Sequence, residues 1–314
     1  MKFAHTVGPA AAALGLFLAV EVMPIGAQAP VTLRVAAPPI DGAGPVFYAQ
    51  DLGYFRDAGI TVEFASGLNN AAAALAALSG GSLDLSAAAV TSIAAAHDAG
   101  IGLKLIAPAQ LSTEQSPTEV MAVRKESTVQ NAADLNGKTI GIIGVKSMMQ
   151  PAAMSWADRH GGDSKTLKFI EIPLPQMCPQ LTAGRIDAAV MAEPFTSGCS
   201  GARVIGNADD GIAPRFISLG FVGTDDWLKA HADLAARFAA AIAKAAAWGN
   251  THPHESAAIL VKYAQLDPTV ANSMGRAGYA TQLTPALIQP VIDASAKYGA
   301  IPRAFPAAEI IWAH

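Results

Sequence analysis

The chain has 314 residues, 25 acidic against 21 basic ones, a net charge of −4, and a composition that is 52% hydrophobic but only 15% charged. That length exceeds one ordinary core and suits two. The weak acidity, with Arg124-Lys125 as the longest basic cluster, excludes a nucleic-acid binder, which would carry a basic stripe.

The first residues read as targeting rather than fold. Lys2 and His5 form a short n-region, Ala10 to Val20 an apolar run, and Ala27-Gln28-Ala29 a cleavage signal, so residues 1–29 are expected to be a signal peptide. Cleavage after Ala29 would leave Pro30 first, and cleavage after Ala27 is the alternative. The apolar run covers about 11 residues against the roughly 20 that span a bilayer, which argues against an anchor helix.

A strand is expected over 32–36, followed by a loop whose Gly42-Ala43-Gly44 lacks the third glycine of a dinucleotide fingerprint, Phe47 standing there. In Pro45 to Phe64 a helix carries Phe47, Tyr48, Leu52 and Phe55 near one face, Gly59 suits a left-handed cap, and Ile60-Thr-Val-Glu-Phe64 alternates as a strand. An alanine-rich helix that Asn69 or Asn70 can cap, a strand over 83–87, a helix stopping at Gly100 and a strand over 103–107 repeat that plan. Such a rhythm predicts an α/β fold with mainly parallel sheets covered by helices. Gln110 to Pro117 is polar without period and is expected to be a loop crossing to a second lobe. Strands over 119–124, 139–143, 167–172 and 188–191 and helices over 150–159 and 179–183 build that lobe, and the segment near 216–219 returns. Helices are expected over 225–250, 253–264, 267–275 and 284–298.

Three stretches carry a family resemblance: Pro45 to Phe64, Asn131 to Gly141 with Leu135-Asn-Gly-Lys138, and Gly184-Arg-Ile-Asp-Ala-Ala-Val-Met-Ala-Glu-Pro194. Together they resemble the periplasmic substrate-binding proteins of the nitrate/sulfonate/taurine type (SsuA/THI5-like), which deliver solutes to ABC importers. The resemblance covers about residues 31–260. It implies a two-lobed periplasmic-binding-protein fold with the C-terminal helices on the first lobe. The expected division is residues 30–115 and 216–314 in lobe 1 and 116–215 in lobe 2. It further implies a small-molecule ligand, an ABC permease as partner and a periplasmic location; a monomer without cofactor is expected.

Ligands in such folds sit beyond the carboxyl ends of parallel strands, near helix N-termini. The residues expected there are Asp41, Phe47, Asn69, Asn70, Ser86, Ala87, Ala88, Ser147, Met148, Glu193 and Phe195. The resemblance favours Asn70, Ser147 and Glu193. Lys146 beside Ser147 favours an anion; Met148, Phe47 and Phe195 favour an apolar body; Glu193 favours an amine or ring N–H instead. The leading ligand is therefore an aromatic or alkyl carboxylate or sulfonate, and the alternative a nitrogen heterocycle or amine.

The sequence carries no complete catalytic or metal motif. Histidines 97, 160, 231, 252, 254 and 314 are scattered, and His252-Pro-His254 alone does not make a metal site. Gly137-Lys138-Thr139 precedes a strand, the reverse of a P-loop. The competing function is a pyrimidine-synthase-like enzyme of thiamine biosynthesis, whose cysteine-rich motif is not matched by two isolated cysteines. Cys178 and Cys199 either form a disulfide, as export would favour, or remain two buried thiols.

Overall fold

The computed structural model describes residues 1, 2, 4, 30–65 and 71–313. Most of the expected signal peptide, and Asn69 and Asn70, thus lie outside the described residues. The strands are β1 (Val31–Ala36), β2 (Ile60–Phe64), β3 (Leu85–Ala89), β4 (Leu103–Pro108), β5 (Gln110–Thr113), β6 (Val120–Arg124) and β7 (Thr139–Ile142). They continue with β8 (Lys168–Glu171), β9 (Ala188–Met191), β10 (Ala202–Asn207), β11 (Arg215–Ile217), β12 (Leu219–Thr224) and β13 (Gly278–Tyr279).

Two five-stranded sheets organise the molecule, in the orders β2-β1-β3-β12-β4 and β10-β6-β9-β7-β8. Read from the other edge, the second has the same plan as the first. In each, β1 with β2 and β3, or β7 with β8 and β9, pair in parallel. One strand runs against the others in each sheet: β12 between β3 and β4, and β6 between β9 and β10. Each of these two strands is the first that the chain contributes after arriving from the other sheet. The expected mainly parallel α/β lobes are thus present, each with one inverted strand that periodicity does not signal.

Local sequence explains the layers. In β2 the apolar Ile60 and Val62 face inward while Thr61 and Glu63 face out. The inner strand β9 is Ala-Ala-Val-Met, buried on both faces, because helices cover both sides. The helix Ala232–Thr251 buries Leu234, Phe238, Ile242 and Gly249 along one face. At Gly249 a Cβ would lie 2.9 Å from the Tyr48 ring, so glycine sets how closely this helix reaches the helix Gly44–Asp51.

Several boundaries differ from expectation. Gln110–Thr113, expected as loop, is a strand in a third sheet, β11-β5-β13, because its backbone finds partners more than 100 residues away. The expected helix over 225–250 is interrupted at His231 into Asp225–Ala230 and Ala232–Thr251. The expected helix over 179–183 is Leu174–Thr182, since Pro175 sits in its first turn, where a missing N–H costs nothing. Cys178 in that helix is bonded to Cys199, with Cα atoms 5.6 Å apart.

The two crossings are tied to each other. Asp209 Oδ2 accepts from Ser112 Oγ at 2.5 Å, Thr118 N at 2.6 Å and Glu119 N at 3.2 Å. Thr118 Oγ1 donates to Ser218 Oγ at 3.1 Å.

Candidate functional site

A cavity of about 500 Å³ lies between the two larger sheets. Its walls come from the segments that follow parallel strands: Asp41 after β1, Ala89, Thr91 and Ser92 at the end of β3, Ser147, Met148 and Met149 after β7, Leu174 after β8, and Glu193 and Thr196 after β9. Both crossings add wall, through Thr118, Glu119 and Val120 on one and Ser218 and Leu219 on the other. Two helices, Val90–Asp98 and Met149–Arg159, begin at the cavity. Their first N–H groups lack intrahelical acceptors and carry the positive end of the dipole.

Buried side-chain oxygens without a hydrogen-bond partner concentrate here. Among the described residues they are Thr91 Oγ1, Glu119 Oε2, Ser147 Oγ, Thr196 Oγ1 and Asp209 Oδ1, and the first four belong to residues lining the cavity. A buried polar atom left unpaired costs about 1–3 kcal/mol, so their clustering at one cavity marks where a partner is received. The apolar complement is Ile40, Val120, Ile143, Met148, Met149, Leu174, Met191 and Leu219.

Charge at the cavity is mostly compensated. Asp41, 2% exposed, accepts from Arg276 Nε at 2.9 Å and Nη2 at 2.8 Å, from Ala277 N at 2.7 Å and from Tyr279 Oη at 2.6 Å. Burial pulls the Arg276 guanidinium down, but the Asp41 hydrogen bonds and charge outweigh it and hold the group above its ordinary value. Burial, then the Asp41 charge, pushes the Tyr48 and Tyr279 phenols up. Glu193 accepts from Ser197 N at 3.1 Å and Ser197 Oγ at 2.8 Å. Burial, reinforced by the neighbouring Asp209, pushes the Glu119 carboxyl well above the usual range. Burial likewise raises Asp209 to about 6, against the pull of the hydrogen bonds from Ser112, Thr118 and Glu119.

Of the residues expected at the site, Asp41, Ser147, Met148 and Glu193 line the cavity. Phe47 does not: it is buried against Phe64 and Tyr263, each ring centroid 5.2 Å away, because its helix turns that face to the core. Ser86, Ala87 and Ala88 do not either. β3 runs to Ala89, two residues beyond its expected end, so those three lie within the sheet and Ala89 and Thr91 take their place. Ser86 Oγ donates to the Ala87 carbonyl at 3.1 Å. Phe195 packs on the core of the second sheet, and Lys146 is exposed with its backbone N–H on Gln150. Residues not anticipated are Thr91, Glu119, Thr196 and Arg276. A lone glutamate heading the apolar run Val120-Met-Ala-Val123 was the one available signal.

Two facing α/β lobes with a cleft at their strand ends define the periplasmic-binding-protein fold. The chain belongs to the family described as NMT1/THI5 like, whose model matches residues 42–256. A search of the curated proteins by sequence finds no match. Among solved structures it is similar to the periplasmic aliphatic sulphonate binding protein SsuA of Escherichia coli, with TM-score 0.72, 18% identity, and 90% of this chain and 92% of that one covered. It is similar also to the alkanesulfonate-binding protein SsuA of Xanthomonas axonopodis pv. citri bound to MOPS, with TM-score 0.73, 18% identity, and 91% and 99% covered. The desulfurization enzyme DSZB shares the fold too, with TM-score 0.65, 14% identity, and 90% and 96% covered.

Proposed function

We propose that this chain is a solute-binding protein that captures a small organic molecule in the cleft and delivers it to the membrane permease of an ABC importer. The observation that carries this reading is the set of four unpartnered oxygens around one cavity bounded by both lobes. A ligand that bridges the lobes favours their closed arrangement, which a permease can distinguish from the open one. The division into residues 30–115 with 216–314 and residues 116–215 is supported by the strand membership of the two sheets. Export to the periplasm after loss of residues 1–29, and action as a monomer, complete the proposal.

Binding rather than catalysis is favoured by the same groups. Ser147 and Thr91 hydroxyls have no base beside them, and Cys178 and Cys199 are bonded to each other, leaving neither free to hold a metal as a pyrimidine-synthase-like enzyme would need. The leading ligand is an aromatic or alkyl carboxylate or sulfonate: three hydroxyls and two helix N-termini donate to the head, and Met148, Met149 and Leu174 surround the body. Glu193 favours the second reading, an amine or nitrogen heterocycle, though Ser197 already occupies part of its accepting capacity. A thermal-shift panel of aromatic acids, alkanesulfonates, taurine, nitrate and pyrimidines tests this. A ligand at about 100 times its Kd stabilises by about 2.7 kcal/mol, and nitrate as the sole stabilising compound would refute the apolar-body reading.

A further inference from the structure

Glu119 differs from the other carboxylates at the cavity. Asp41 is held by Arg276, and Glu193 by Ser197. Glu119 is 5% exposed, lines the cavity, and has a buried Oε2 with no hydrogen-bond partner. Its backbone is fixed, because Glu119 N donates to Asp209 and the Glu119 carbonyl accepts from Ala208 N at 3.0 Å. The neighbouring carboxyl offers nothing to its side chain, since Asp209 Oδ1 is equally without a partner. An ionised carboxylate so enclosed, with another carboxyl beside it and no cation on it, would carry a large desolvation cost. The neutral acid carries much less, and it has one O–H to give.

We propose that Glu119 is a specificity-determining residue of the cavity: it presents a carboxylic acid O–H to an acceptor atom of the ligand, so that the cleft selects an oxyanion over a cation of the same shape. The proposal rests on the reading of the cavity as a ligand site and adds the residue that sets charge preference. Thr91, Ser147 and Thr196 supply hydroxyl donors around the same space, and none of these groups brings a positive charge. Selection against a cation then follows from the donors it would meet and from the absence of a free carboxylate at Glu119. The ionisable groups facing Glu119 are Asp209 behind it, and Glu193 and the Arg276–Asp41 pair across the cavity. Asp209 accepts three hydrogen bonds suited to a carboxylate, so the proton of this carboxyl pair resides on Glu119.

Three measurements on the full mature chain test this. In ligand-free protein near pH 7, the infrared difference spectrum of wild type minus Glu119→Gln is expected to contain a carboxylic-acid C=O band; a carboxylate band in its place overturns the proposal whichever compound binds. Matched probes, hexanesulfonate and phenylacetate against hexylamine and phenethylamine, are then compared. The acids are expected to bind, Glu119→Gln to retain affinity within about 3-fold because it remains a neutral donor, and Glu119→Met to lose about 10- to 100-fold. Tight amine binding abolished in Glu119→Gln overturns the proposal. Should the variants fold poorly, wild-type affinity for hexanesulfonate, whose own charge is constant, is expected to fall as pH rises above neutrality, and affinity that rises instead is contrary. Silence from every probe with the acid band present overturns the ligand class proposed above and leaves the neutral carboxyl supported, so the two failures are distinct.

Discussion

Arg276→Met is expected to destabilise the ligand-free protein strongly. It removes the cation from an Asp41 that is 2% exposed, while the long apolar side chain keeps much of the packing volume. Breaking a buried, hydrogen-bonded ion pair from one side costs about 3–5 kcal/mol, because the remaining charge stays buried without its partner. Asp41 would still accept from Ala277 N and Tyr279 Oη, which places the expected loss nearer 3 kcal/mol. An unfolding entropy of about 2.1 cal/mol/K per residue over roughly 280 residues gives ~0.6 kcal/mol per degree, so Tm should fall by about 5 °C. Calorimetric melts of wild type, Arg276→Met, Asp41→Asn and the double variant measure this. The double variant should recover part of the loss, since no charge remains uncompensated. A fall under about 1 °C in Arg276→Met, or strictly additive losses in the double variant, would refute the argument that the pair acts as a unit.

Three further outcomes are expected. The folded-state pKa of Asp209 is raised from 3.8 to about 6, so its contribution is full below the unfolded value and lost as pH rises through the folded one; at ~1.4 kcal/mol per pH unit, urea melts should show Asp209→Asn gaining about 3 kcal/mol on wild type between those pH values. A gap between the two proteins that does not change with pH would contradict this. Replacing Cys178 and Cys199 by serine removes a closure with a sequence separation of 21 and should cost about 3 kcal/mol, seen as a lower urea midpoint with a slope that does not fall, since the unfolded chain becomes less constrained. Gly211→Ala should cost about 2 kcal/mol or more, because the added Cβ would lie 2.4 Å from the Ser155 backbone carbon and 2.5 Å from the Trp156 backbone nitrogen, atoms that cannot move aside without shifting a helix; a Tm within a degree of wild type would show the contact to be soft.

The fold was more legible than the site, and the reason is physical. Ile60 to Phe64 declares itself by alternation, and the resemblance of Gly184 to Pro194 fixed β9 and the turn after it. Gln110–Thr113 did not declare itself, because Gln-Leu-Ser-Thr has little pattern and its pairing with β11 and β13 is a property of the tertiary structure. That Ser147 and Glu193 border the cavity was legible from their place after strands. Phe47 is ambiguous in sequence, because an aromatic residue on a helix next to a strand end looks alike whether it faces core or cleft. Arg276 could not be found at all: it follows a short helix near the end of the chain, and only folding brings it within 2.8 Å of Asp41.

The position of β12 has a consequence for how the chain is made. It lies between β3 and β4, so the middle of the first sheet stays vacant until residue 224 has emerged, long after the strands on either side of the gap. β6 emerges before its four sheet partners, and the second sheet has all its strands once β10 ends at Asn207, ahead of β12. A chain emerging from its N-terminus can therefore complete its second sheet first and must hold β1 to β4 as an unfinished half for more than a hundred residues. Truncation anywhere before β12 should leave that half without the strand that joins its edges. A polypeptide that cannot close its leading half early carries that half unfinished for most of its synthesis, so the first sheet is completed only by a strand that arrives after the whole second sheet.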